Sequence, residues 1–131
     1  MKLEHIGIAV SNLDQAVKMF TELLGQNPST VKDVPEYNVK VAFFNREGTS
    51  SMELLEAADE DNSIGKFVAK HGPGLHHLAF AVENIEEKLA ELKAKGYSLI
   101  DEKPRIGALG KKIAFIHPKS TSGVLIELEE E

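Results

Sequence analysis

Gly74-Leu75-His76-His77-Leu78-Ala79-Phe80-Ala81-Val82 decides the fold once it is laid over the N-terminus. His77-Leu78-Ala79-Phe80-Ala81-Val82 aligns with His5-Ile6-Gly7-Ile8-Ala9-Val10 at an offset of 72 residues; His, Ala and Val coincide, and the other positions are similar in kind. Asn84 keeps that offset from Asn12, and Lys112-Ile113-Ala114-Phe115-Ile116 keeps it from Lys40-Val41-Ala42-Phe43-Phe44. Val124-Leu125-Ile126-Glu127-Leu128 follows Ser50-Ser51-Met52-Glu53-Leu54 at an offset of 74, so the connection Pro118 to Gly123 holds two extra residues. Three blocks in one order make an internal repeat. Its period is too long, and its copies too few, for a solenoid.

Each copy has the same plan. Leu3 to Val10 alternates at period 2 and reads as a strand. Asn12 to Gln15 has capping-box spacing, Leu13, Ala16, Val17, Phe20, Leu23 and Leu24 share a helical stripe, and Gly25 ends the helix. The irregular stretch Asn27 to Pro35 has room for a short edge strand. Val39 to Asn45 and Ser51 to Glu56 read as a hairpin across Arg46 to Ser50. In the second copy His77 to Val82 is a strand, Asn84 to Glu87 repeats the cap, Ile85, Leu89 and Leu92 form the buried stripe, and Gly96 stops the helix. Ser98 to Glu102 is expected to pair as a strand, and Glu129-Glu130-Glu131 to be a solvated tail. The expected fold is α+β: two tandem β-α-β-β-β modules forming one curved, eight-stranded mixed sheet with a metal-containing concave cup. The expected organisation is a single domain over 1–131, with module one at about 1–56, a linker at 57–73 carrying a short helix capped by Asn62 or Ser63, and module two at about 74–131.

Composition narrows the function. With 42% hydrophobic and 27% charged residues among 131, the chain reads as one globular domain. No apolar run approaches the roughly 20 residues of a membrane span. The first residues enter the alternating pattern at once and lack a signal-peptide pattern. There is no cysteine, which excludes disulfides and thiolate ligands; a cytoplasmic protein is expected. A net charge of −6 argues against nucleic acid as a partner. An anionic small ligand is compatible with it if a few cations are gathered locally.

Strand alternation assigns the faces. Ile6, Ile8, Val10, Leu78, Phe80 and Val82 are bulky and should pack beneath the helices. The opposite face carries His5, Gly7, Ala9, His77, Ala79 and Ala81, small apart from the histidines, and so leaves room for a ligand. Met52, Leu54, Ile126 and Leu128 put Glu53 and Glu127 on that same side. A lone strand histidine is more often structural than a ligand. Here two histidines and two glutamates occupy equivalent positions of a repeat, and buried carboxylates need partners. His5, Glu53, His77 and Glu127 are therefore the expected ligands of a divalent ion. Imidazole nitrogen with carboxylate oxygen suits Mn, Co, Ni, Zn or Fe.

These modules, with His5, Glu53, His77 and Glu127, resemble the vicinal-oxygen-chelate superfamily. Within it the chain is similar to the methylmalonyl-CoA epimerases through His5-Ile6-Gly7-Ile8-Ala9-Val10, Met52-Glu53-Leu54-Leu55-Glu56, Gly74-Leu75-His76-His77-Leu78-Ala79-Phe80 and His117-Pro118-Lys119-Ser120-Thr121. The resemblance covers nearly the whole chain. It implies interconversion of (R)- and (S)-methylmalonyl-CoA with a divalent metal, often cobalt, and commonly a homodimer. It implies removal of the α-proton through a metal-stabilised enolate and reprotonation on the other face, with Glu36 and Glu127 as the acid/base pair. Where family members commonly have Glu-Gln-Gly, this chain has Glu36-Tyr37-Asn38. Glu36 has Ala108 at the equivalent repeat position, so it breaks the symmetry. Lys119 and Ser120 are candidates for holding the substrate carboxylate or the CoA portion. Arg105, Lys111 and Lys112 are candidates for the CoA phosphates, although each alone reads as a solvated charge. His76 should face away from His77 and stays outside the metal shell.

Three rivals share this pattern in part. A glyoxalase I-like isomerase of a glutathione hemithioacetal has the same two-His, two-Glu set, but usually an Arg in the first strand, where Ile8 stands here. A ring-cleaving dioxygenase uses three ligands, and Glu53 is a fourth. A ligand-sequestering protein with the same cup needs no base at Glu36.

Overall fold

The computed structural model describes residues 1–131. The chain adopts the expected α+β class, and its eight strands make a mixed sheet. It divides into two compact units, His5–His76 and Met1–Glu4 with His77–Glu131. The expected linker carries a helix that belongs to the first of these.

In His5–His76, strand β1 (Lys2–Ala9) contributes its second half. It is followed by helix α1 (Leu13–Leu24), β2 (Thr30–Val34), β3 (Val39–Phe44), β4 (Ser51–Ala57) and α2 (Ser63–His71). The strand order is β2-β3-β4-β1. β1 is parallel to β4, and the other neighbours are antiparallel. Parallel neighbours cannot be joined by a hairpin, and α1 with the β2–β3 pair supplies the crossover. The Asn12 carboxamide oxygen accepts from the Gln15 amide at 2.9 Å, and Gly25, at φ 65°, ends the helix in the left-handed conformation that a Cβ disfavours. Val10, Leu13, Ala42, Phe44 and Leu54 form the core under α1, with Ile8, Ala16, Val17, Phe20, Leu24 and Met52 around it. Each such aliphatic side chain contributes about 1.5–3 kcal/mol when fully buried.

The other unit repeats this with β5 (Gly74–Val82), α3 (Ile85–Ala94), β6 (Arg105–Ile106), β7 (Lys112–Ile116) and β8 (Ile126–Glu130). The strand order is β5-β8-β7-β6. Asn84 caps α3 through the Glu87 amide at 3.0 Å. The core is Val82, Ile85, Leu89, Ala114, Ile116 and Leu128; five of these are the repeat counterparts of the first core, and Leu89 is the counterpart of the partly buried Val17.

Two expectations are corrected. Ser98 to Glu102 is not a strand: only Leu99 bridges Ile116, and the edge strand lies further on at Arg105–Ile106. The Asp101 carboxylate accepts from the Phe115 amide at 2.9 Å, so a side chain takes over a ladder bond there, and Pro104 next has no amide to donate. The acidic end is not a solvated tail up to its last residue. Glu129 and Glu130 lie within β8, and Glu129 is buried, with Lys111 Nζ 3.7 Å from its carboxylate. Glu130 accepts from the Ile85 amide at 3.1 Å. Glu56 does the same for Leu13 at 2.7 Å. Each module thus uses a strand carboxylate as a second cap on its helix, where the helix dipole favours negative charge.

Helix α2 starts at Asn62, whose side chain accepts from the Gly65 amide at 2.8 Å. A Cβ on Gly65 would lie 2.3 Å from the Asp59 carbonyl oxygen and 2.8 Å from Glu60 Cα. These are backbone atoms of the turn that precedes the helix, so a rotamer change cannot relieve the clash. Gly65→Ala is expected to lower stability by about 1–3 kcal/mol, read from the midpoint of urea unfolding. An unchanged midpoint would mean that the turn moves aside without cost.

Candidate functional site

Because α1 covers Ile8, Val10, Met52 and Leu54, alternation turns His5 and Glu53 to the other side of their strands. Both are buried, at 4% and 7% exposure. Gly7 pairs directly with Glu53 across the parallel β1–β4 register. His5 and Glu53 each offer a ligand atom within 4.8 Å of the other.

The second unit makes the same arrangement from the same rule. His77 and Glu127 are buried, at 4% and 5%. Ala79 is paired with Glu127 in the β5–β8 register, as Gly7 is with Glu53. His77 Nε2 and Glu127 Oε1 are 4.0 Å apart, longer than a hydrogen bond and compatible with a cation shared between them. The Phe115 ring meets the His77 imidazole edge-on at 5.9 Å. Phe115 is the residue of β7 paired with Glu127, so it stands on the same face. Each unit therefore holds a buried His/Glu pair of metal-ligating chemistry. Buried carboxylate and imidazole in a cysteine-free site have the donor chemistry that fits a first-row divalent ion.

The remaining candidates are outside the two His/Glu pairs. Glu36 is exposed, on the turn between β2 and β3. That turn is closed by Tyr37 donating to Val34 and Asn38 to Pro35, and it lies beyond the Val39–Ala57 pair, whereas Glu53 pairs with Phe43. Lys119 is exposed on a short 3-10 helix, Pro118–Ser120, whose first turn is capped by His117 Nδ1 accepting from the Lys119 amide at 3.1 Å. The Ser120 hydroxyl accepts from the Ser98 amide at 2.8 Å, so it also holds that loop together. Lys112 reaches α3, where Nζ donates to Glu86 at 2.7 Å. His76 packs edge-on against Phe67 at 4.9 Å, and burial pushes its imidazole down to about 4, so it is neutral at neutral pH. Sequence reasoning did not single out the capping roles of Glu56 and Glu130, although the repeat pairs them.

The sequence pattern of the Glyoxalase/Bleomycin resistance protein/Dioxygenase superfamily matches residues 4–115. The chain belongs to that superfamily. It is 38% identical to the human mitochondrial methylmalonyl-CoA epimerase over 98% of this chain and 73% of the human one. An uncharacterised protein of Bacillus subtilis is 43% identical over 98% of this chain and 91% of its own. A Streptomyces coelicolor methylmalonyl-CoA epimerase variant, solved in complex with 2-nitronate-propionyl-CoA, superposes with a TM-score of 0.93 at 34% identity, covering 100% of this chain and 94% of that one. Within the superfamily, the chain belongs to the methylmalonyl-CoA epimerase family.

Proposed function

We propose that this chain is an epimerase that interconverts (R)- and (S)-methylmalonyl-CoA. The observation that carries the reading is the buried His/Glu pair, formed twice at one strand register, in a chain of the epimerase family. In this reading His5, Glu53, His77 and Glu127 hold one divalent ion, with cobalt the first choice and Mn, Ni, Zn or Fe also compatible with the donors. The ion would supply Lewis-acid stabilisation of the negative charge that develops on the substrate oxygens.

The chain's own residues do the rest. Methylmalonyl-CoA has an acidic α-hydrogen between a thioester and a carboxylate. Inversion needs one group to take that proton from one face and another to return a proton to the opposite face. Glu36 is the first of these: it is on a turn, open to solvent, and free of any ligand duty. Glu127 is the second, with its carboxylate beside His77. Lys119 attracts the anionic substrate, and Ser120 orders the loop that carries it. The modules act as one domain, in a homodimer located in the cytoplasm. No helix is long and apolar enough to cross a membrane.

The test is incubation of cobalt-loaded protein with one epimer in deuterated water. Epimerisation with α-deuterium uptake is expected. Retained configuration without deuterium would overturn the reading, and turnover of a methylglyoxal–glutathione adduct in its place would move the chain to the glyoxalase reaction. Glu36→Gln is expected to lower turnover by about 10²–10⁴-fold with metal binding intact. Full activity in that variant would remove Glu36 as a base.

A further inference from the structure

A protein of net charge −6 that takes an acyl-CoA must gather positive charge where that polyanion lies. Three cations near the β6–β7 hairpin were open to this role, and their neighbours separate them. Lys112 is turned to Glu86 on α3, the side of the sheet away from His77. Lys111 is engaged with the buried Glu129. Arg105 is different. Its guanidinium carbon stands 5.3 Å from the centre of the Phe115 ring, and that ring in turn abuts His77. Asp101 Oδ1 lies 3.5 Å from Arg105 Nε, and Asp101 is itself fixed through its bond to the Phe115 amide. The side chain remains 43% exposed.

We infer that Arg105, stacked on Phe115 and steadied by Asp101, is the residue that receives an oxyanion of the acyl-CoA substrate beside the His77–Glu127 pair. A guanidinium is planar and donates in a fork that matches carboxylate and phosphate oxygens. Stacking on an aromatic face and an ion pair at Nε restrict its rotamers before the ligand arrives, so less entropy is lost on binding. The residue 72 positions earlier is Asp33, so the cation belongs to one module only. A substrate with a free acid and a nucleotide at different ends has to be held in one direction, and a cation on a single module supplies that asymmetry. The oxyanion is the malonyl carboxylate or a CoA phosphate; both have the chemistry that the fork recognises.

The inference rests on the epimerase reading, and the test separates the two. Binding of methylmalonyl-CoA and of methylmalonyl-pantetheine, which lacks the nucleotide, is measured by calorimetry for the parent, Arg105→Ala and Arg105→Lys, alongside epimerase kinetics. Arg105→Ala is expected to weaken CoA-ester binding and raise KM by about tenfold or more, with kcat/KM falling at least as far. Arg105→Lys should recover part of the loss, because charge returns without the fork. A salt dependence of KM shallower than the parent's marks loss of a charge contact, which a purely structural role would not produce. If the pantetheine ester is weakened equally, the oxyanion is the carboxylate; if only the CoA ester is weakened, it is a phosphate. Unchanged affinity for both esters in Arg105→Ala overturns the inference, whether or not the parent turns over. Arginine-dependent binding by a parent that epimerises nothing overturns the epimerase reading and leaves this one standing.

Discussion

Glu127→Gln is expected to lower epimerase turnover by about 10²–10⁴-fold while the metal-free protein stays as stable as the parent or gains stability. The two effects have different origins. In the folded chain Glu127 is 5% exposed and stands 4.0 Å from His77. Burying a carboxylate there costs desolvation energy. A glutamine fills about the same volume without the charge and keeps a carbonyl oxygen that can accept a hydrogen bond, so the metal-free fold is expected to keep its stability. It is a poorer ligand and cannot carry the proton, so both metal affinity and proton return fail together. The measurements are turnover with cobalt, cobalt affinity by calorimetry, and the unfolding midpoint in chelator. A variant that keeps parental cobalt affinity and turnover would remove Glu127 from the site. A large loss of stability in chelator would mean that the charge of the carboxylate itself holds the fold.

The second large effect falls one residue further along the same strand. Leu128 has no exposed surface and packs among Val82, Ile85, Leu89, Ala114 and Ile116 under α3. Leu128→Ala is expected to cost about 2–5 kcal/mol, the loss of transfer energy plus the cavity that a rigid neighbourhood leaves. Leu54 is its counterpart in the repeat, equally buried beneath α1. Leu54→Ala should fall in the same range. For a domain whose total stability is on the order of 5–15 kcal/mol, either change is a large fraction. Urea unfolding of both variants is the check. A cost below about 1 kcal/mol at either site would show that its core collapses around the gap, and the two modules would then differ in packing where they agree in plan.

Adjacent residues 127 and 128 thus have opposite expected signatures, function without stability and stability without function. Period-2 alternation is the reason, since it sends one to the donor face and the other under the helix. That alternation is also why the shared face of these residues was legible in the sequence. His5 and Gly7 must share a side, Glu53 must oppose Met52 and Leu54, and the repeat transfers both statements to His77 and Glu127. The caps were legible for a similar reason. Asn12 to Gln15 and Asn84 to Glu87 satisfy a bond that spans three residues, and a short window of sequence contains it whole.

What sequence alone determined about this protein is therefore what depends on period and on the copy: two β-α-β-β-β modules, the starts of their first helices, and the faces of the residues on β1, β4, β5 and β8, His5, Glu53, His77 and Glu127 among them. Only the tertiary structure decided which distant groups meet. Glu56 and Glu130 cap helices that begin 43 and 45 residues earlier. Glu129 is buried because β8 runs on beside β7 to pair it with Ile113. The edge strand falls at Arg105 because Asp101 takes the Phe115 amide before it, and this in turn sets the guanidinium on the ring beside His77. Local periodicity gives a residue its side of a strand. The partner across the strand depends on register, and register is set by packing over the whole unit.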